Sequence, residues 1–150
     1  MVKVIAELTV ELTKKRTIEG IIKASGYNEV NFLIKEGAQK KRLSLQDEVY
    51  GERKIVLVGI DDSISSQEVL TEARRLGLSR PTYGDAFLLG EQHPDEQISG
   101  RIVFLHDPQY SWSGHSFNLV LDTSRKGRVI SLISSGGWWH SGFRFAFRSK

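Results

Sequence analysis

Lys54-Ile55-Val56-Leu57-Val58-Gly59-Ile60 is the stretch on which the reading of the fold turns. So short a continuous apolar run, rich in β-branched residues, predicts a strand buried on both faces. Downstream, Ser65 and Glu68 form a capping box. Val69, Leu70, Ala73 and Leu76 follow at helical spacing, and Gly77 stands where the helix would stop. Thr82 and Asp85 repeat the box for a second, shorter helix with Phe87 and Leu88 on its apolar side, which Pro94 prevents from continuing.

Upstream, Val2, Val4, Ala6, Leu8, Val10 and Leu12 alternate with mostly polar neighbours, the period of a half-buried strand. Thr17 can cap a short helix carrying Ile18, Ile21 and Ile22, and Gly26 suits the left-handed residue that ends one. Residues 28–45 fit neither period cleanly. After Gly100 the chain reads as antiparallel sheet, with strands expected at 101–105, 117–122, 128–133 and 143–148 between Ser, Gly and aromatic stretches. In the last of these, Phe143, Phe145 and Phe147 alternate with Arg144, Ala146 and Arg148. The pattern predicts a phenylalanine face turned to the core and an arginine face turned to solvent.

With 150 residues, 39% hydrophobic and 26% charged, the chain is long enough for a real core and is read as one domain. Without cysteine it has neither a disulfide framework nor a thiolate zinc site. The charges at Lys3 and Glu7 interrupt the N-terminal apolar run, so no signal peptide or membrane span is expected there. A net charge of +3 and a pI near 9.2 hint at anionic partners. The only basic clusters are Lys14-Lys15-Arg16 and Lys40-Lys41-Arg42, both read as solvated loops.

No catalytic constellation emerges, and the chain is read as a non-enzyme without cofactor. Ser134-Ser135-Gly136-Gly137 precedes a strand rather than a helix N-terminus and cannot cradle phosphate. Asp61-Asp62 reads as a solvated turn. His106, Asp107, His115 and His140 offer metal donors but lack the separations of zinc motifs, so no metal is expected. Ser111, His115 and Asp107 make a triad only on paper.

Placement is more telling. All three tryptophans and three of the four histidines lie after residue 105, interleaved with serine and glycine. Tyr, Trp, Ser, Gly and His together make a paratope-like composition, in which rigid aromatics give contact area and small polar residues adapt their hydrogen bonds. The expected ligand-binding residues are His106, Asp107, Tyr110, Ser111, Ser113, His115, Ser116, Ser134, Ser135, Gly136, Trp138, His140, Ser141 and Phe143. The alternative is that Trp112 and one of Trp138 or Trp139 pack in the core while the serines form turns.

Leu78-Ser79-Arg80-Pro81-Thr82-Tyr83-Gly84-Asp85-Ala86-Phe87-Leu88-Leu89, then His93-Pro94-Asp95, and the closing Gly137-Trp138 with Phe143-Arg144-Phe145-Ala146-Phe147-Arg148 resemble variable proteins of diversity-generating retroelements, the archaeal type most. The resemblance covers residues 54–150. It implies an α+β fold of C-type lectin type: two helices packed on a small antiparallel sheet whose N- and C-terminal strands pair. It also implies a variable region over about 101–145 that binds protein or cell-surface ligands. In such systems adenine mutagenesis turns asparagine codons into Ser, Gly, His, Asp, Tyr, Phe or Arg codons but never into Trp, Gln or Lys. Trp112, Trp138, Trp139 and Gln109 would then be scaffold or arise from another codon. The calcium-binding triplets of lectins are missing, so calcium is not expected. A second reading, a nucleic-acid-binding module, rests on the pI, on an exposed Arg144 and Arg148 and on nearby tryptophans that could stack bases.

Overall fold

The computed structural model describes residues 2–40, 42–45, 48–106, 111–112 and 115–149, with the backbone alone described for 111, 112 and 115. The doubly apolar run is the centre of β3 (Gly51–Ile60), and Ile55, Val56, Leu57 and Val58 are all fully or almost fully buried. A strand with no polar side cannot lie at an edge. It is flanked by β1 (Val2–Leu12) and β11 (Phe143–Ser149), both antiparallel to it, in a sheet of order β1-β3-β11-β6-β8-β9-β2. The remaining strands on this path are β2 (Glu29–Val30), β6 (Arg101–Phe104), β8 (His115–Ser124) and β9 (Gly127–Ser134). Short β5 (Leu78–Ser79) and β7 (Ser111–Trp112) pair with β11 and β8, and β4 (Ile64–Ser65) pairs with β10 (Trp138–Trp139) apart from the main sheet.

Two expectations are corrected by this order. The first and last strands do not pair with each other, because each needs β3 as its neighbour. The C-terminal third is not wholly antiparallel either, since β11 runs parallel to β6. The helices number four among the described residues rather than two. They are α1 (Ile18–Ser25), α2 (Phe32–Gln39), α3 (Ser66–Arg75) and α4 (Tyr83–Gln92). The architecture is mixed α+β with a mostly antiparallel sheet. No described helix is long and apolar enough to cross a membrane.

Strand parity sorts the core into two layers. Ile55, Leu57, Ile102, Phe104, Leu119, Leu121 and Ile130 face α1, α2 and α4, whereas Val56, Val58, Val103, Val120 and the three phenylalanines of β11 face α3 and Trp139. Each fully buried phenylalanine contributes about 1.5–3 kcal/mol through the area it removes from water.

The helix ends follow the sequence signals. The Thr17 hydroxyl accepts from Gly20 N at 3.0 Å, and α1 stops at Gly26 with φ 66°. Both capping boxes form. In residues 28–45 the sequence period fails because β2 is two residues long and α2 two turns, capped by Asn31, whose Oδ1 accepts from Leu33 N at 2.8 Å.

The second box has a further use. Asp85 is completely buried, and its carboxylate accepts from Thr82 N at 2.8 Å, Arg148 Nε at 2.7 Å and Arg53 at 3.0 Å. Glu48 joins the group, accepting from Arg53 at 2.8 Å and from the Thr82 hydroxyl at 2.9 Å. Two arginines and two acids thus link the start of α4 to β3 and β11.

The outer edge of β1 is closed by side chains. The Gln92 amide accepts from Glu11 N and donates to Glu11 O, each at 2.8 Å, His93 Nε2 lies 2.7 Å from Thr9 O, and a bulge at Ile5 breaks the register. These devices prevent a partner strand from adding there.

Removing the Asp85 carboxylate leaves the largely buried Arg53 and the partly buried Arg148 with Glu48 as their remaining carboxylate partner. Asp85→Ala is expected to lower unfolding free energy by about 3–5 kcal/mol in urea titrations. A second prediction concerns Tyr27, whose phenol lies against Gly90 so closely that a Cβ on Gly90 would sit 1.7 Å from it. Burial pushes this phenol well above its ordinary 10.0, against the opposing pull of Arg128. Above about pH 10 the unfolded chain loses this proton while the folded one keeps it. Stability is therefore full below that pH and falls as pH rises, and Tyr27→Phe should remove this part of the alkaline loss of the urea midpoint.

Candidate ligand-binding face

The C-terminal half of the sheet ends in a loop held from beneath. The β8–β9 hairpin pairs Phe117 with Ser134, and Ser135 N donates to Ser116 O at 3.3 Å, so Ser116 lies beside the loop. The chain turns at Gly137, φ 104°, into β10, whose pairing with β4 puts Trp138 opposite Ser65 and Trp139 opposite Ile64. Neighbours on a strand face opposite ways. Trp139 is 4% exposed and meets Phe143 and Phe145 edge-on at 5.0 and 5.4 Å, while Trp138 is 69% exposed. Trp139 Nε1 donates to Ser66 Oγ at 2.8 Å, and that hydroxyl donates to Ser135 O at 2.8 Å. The loop is thereby tied to the N-terminus of α3.

Beyond Trp139 the turn is compact. Phe143 N donates to His140 O and Gly142 N to His140 Nδ1, both at 3.1 Å. The exposed His140 ring lies 4.7 Å from that of Phe143, and the guanidinium of Arg101 lies 5.1 Å from the Phe143 centroid. Beside this turn opens a cleft of about 620 Å³, walled by Ser141, Gly142 and Phe143 on one side and by Val4, Ile5 and Gly59 on the other. The bulge leaves Val4 and Ile5 about half exposed, at 47% and 52%, and Ile5 lies over Gly59 so closely that a Cβ there would sit 2.7 Å from its Cδ1. Sequence reading missed this wall. Its signal was Val4-Ile5, the one place where β1 stops alternating.

The expected site residues divide by position. Ser134, Gly136, Trp138, His140 and Ser141 share one exposed loop, with Ser116 exposed beside it and Ser135 half-buried within it. Phe143 is buried beneath the loop. His106 is placed in the core, 4% exposed, where its Nε2 accepts from Leu119 N at 3.2 Å and its ring lies edge-on to Tyr83. A surface role for the His106 ring does not fit that burial. For Ser111 and His115 only the strand pairing is described, Ser111 with Ser116 and Trp112 with His115. Asp107, Tyr110 and Ser113 lie outside the described residues.

The arginine face expected on β11 is corrected. Arg144 donates to Glu96 O at 2.5 Å and Gly100 O at 2.7 Å, and Arg148 is held by Asp85 and Glu48. Burial pulls Arg148 toward deprotonation, but its two carboxylate partners outweigh that and raise it above its ordinary value. Neither guanidinium is presented as the nucleic-acid reading requires. Among the described residues no group of three His, Asp or Glu side chains could hold a metal ion.

No protein family, curated protein or solved structure matches the chain.

The Ser66 hydroxyl bridges the buried indole and the loop backbone, so Ser66→Ala should cost about 1–3 kcal/mol. Faster amide hydrogen exchange confined to residues 134–138 is the expected signature.

Proposed function

We propose that this chain is a ligand-binding protein without catalytic activity, a variable protein of a diversity-generating retroelement whose C-terminal loops meet protein or cell-surface ligands. The observation that supports this most is the division of labour within residues 134–143. Trp139 and Phe143 are locked in the core, and the side chains of Ser134, Trp138, His140 and Ser141 stand in solvent. Surface substitutions away from caps and buried partners change stability by about 0.5 kcal/mol or less, so such a loop can vary while its frame persists.

Gly136 illustrates the point. Its φ is not in the left-handed region, and a Cβ there would meet nothing within 4 Å, so the position accepts a side chain; Gly137, at φ 104°, does not do so without strain. The exposed Trp138 supplies the large rigid aromatic that dominates many interfaces. The C-type lectin part of the reading rests on the coarser architecture, helices beside a mostly antiparallel sheet, without the pairing of first and last strands. The ligand face is the loop together with the adjoining Val4–Phe143 cleft.

Gene copies from sibling cells should differ at Ser134, Gly136, His140 and Ser141 and agree at Trp139 and Phe143. A nearby reverse transcriptase gene with a near-identical template copy of codons 101–145 is expected alongside. Substitutions spread evenly along the chain would sink the idea. In the protein, changes at Ser134, Gly136 and Ser141 should each shift the urea unfolding free energy by no more than about 0.5 kcal/mol, whereas Trp139→Ala should cost about 3–5 kcal/mol.

A further inference from the structure

The two basic clusters of the sequence fall in a segment that the loop reading leaves unused. Residues 14–42 carry eight Lys and Arg against three Glu, so this segment is more positive than the whole chain at +3, and the rest is slightly acidic. The segment holds α1 and α2, which pack against each other on one face of the sheet. Beside them opens a cleft of about 610 Å³, within the range of small-molecule sites.

The floor of this cleft is apolar: Ile18, Ala38, Leu43 and Leu45, each no more than 6% exposed. Its rim carries the exposed Lys15 and Lys23 and the half-exposed Tyr50. Arg16 forms part of the wall, with both terminal nitrogens on the Glu91 carboxylate. Among the described lining residues Glu19 is the single acid. A smaller cleft of about 310 Å³ shares Glu19, Lys23 and Ala38 with the first and continues past Ile22 and Val30 to Lys35. Apolar floor and cationic rim thus run together along the α1–α2 junction.

We infer that this groove binds an anionic amphiphile, with a phosphate or carboxylate head at Lys15 and Lys23 and an apolar chain along the Ile18–Leu45 floor. The surplus of positive charge sets the sign of the head, and the leucine and isoleucine floor requires the chain. Inorganic phosphate satisfies only the first demand and a neutral alcohol only the second. The site is separate from the 134–142 loop and does not depend on the loop's function.

The test is an amide NMR titration of the full chain with decyl phosphate below its micellar concentration, beside inorganic phosphate and decanol. Saturable shifts at Ile18, Leu43 and Leu45 are expected with decyl phosphate, with at least about tenfold weaker binding of the other two. The double variant Lys15→Asn, Lys23→Gln should weaken decyl phosphate about tenfold with its remaining spectrum unchanged. Asparagine is chosen because Lys15 has φ 64°, which it tolerates. Trp138→Ala should bind like the wild type, so a failure of the loop reading and a failure of this one are distinguishable. The proposal is overturned by the absence of saturable shifts, by equal binding of inorganic phosphate, by a double variant that binds like the wild type, or by a single-stranded oligonucleotide moving these amides while decyl phosphate does not.

Discussion

The Asp85 carboxylate, sealed from solvent between Arg53 and Arg148, holds the rest of the molecule in register. A lone buried charge would cost several kcal/mol, so this one is tolerable only with β3 and β11 side by side and the first turn of α4 above them. Glu48 balances the second guanidinium and draws the segment before β3 into the same cluster. One charge group therefore specifies which strands are neighbours and where a helix begins, and a purely apolar contact would tolerate sliding there. Once β11 is fixed in this way, its phenylalanines must point to the α3 side, where Trp139 closes over them.

Arginine recurs in this role. Arg128 donates to Ser25 O and Gly90 O, both at 2.6 Å, and stacks on Tyr27. Arg144 bonds to two carbonyls near Gly100, and Arg80 donates to Leu105 O at 3.0 Å. The planar, multiply donating guanidinium suits carbonyls left over at helix and strand ends. Much of the basicity of the C-terminal half is therefore internal, and the surplus of Lys and Arg over acids falls in the segment 14–42. A net charge summed over the sequence gives no hint of that division.

The same economy shapes the candidate binding loop. Buried Trp139 and exposed Trp138 are adjacent residues with opposite fates, decided by two residues of pairing with β4 and by the Ser66 hydroxyl. A loop anchored so close to its middle loses little conformational freedom on meeting a ligand, which favours tight contact from few residues. Its sequence can then vary around the anchor.

Local signals in the sequence determined much of the fold. The doubly apolar strand, both capping boxes, the Thr17 and Gly26 ends of α1 and the phenylalanine face of β11 all depend on residues a few positions apart, and each formed as read. The exposed serines, glycine and histidine of residues 134–141 were likewise legible from composition. Tertiary structure alone decided that β3 parts the first and last strands, that β11 lies parallel to β6, and that Arg144 and Arg148 turn inward. It also decided that His106 is a core residue, and that a bulge at Ile5 builds the far wall of the cleft. Each of these depends on a partner tens of residues away, and a one-dimensional pattern records what a side chain needs without recording which distant group will supply it.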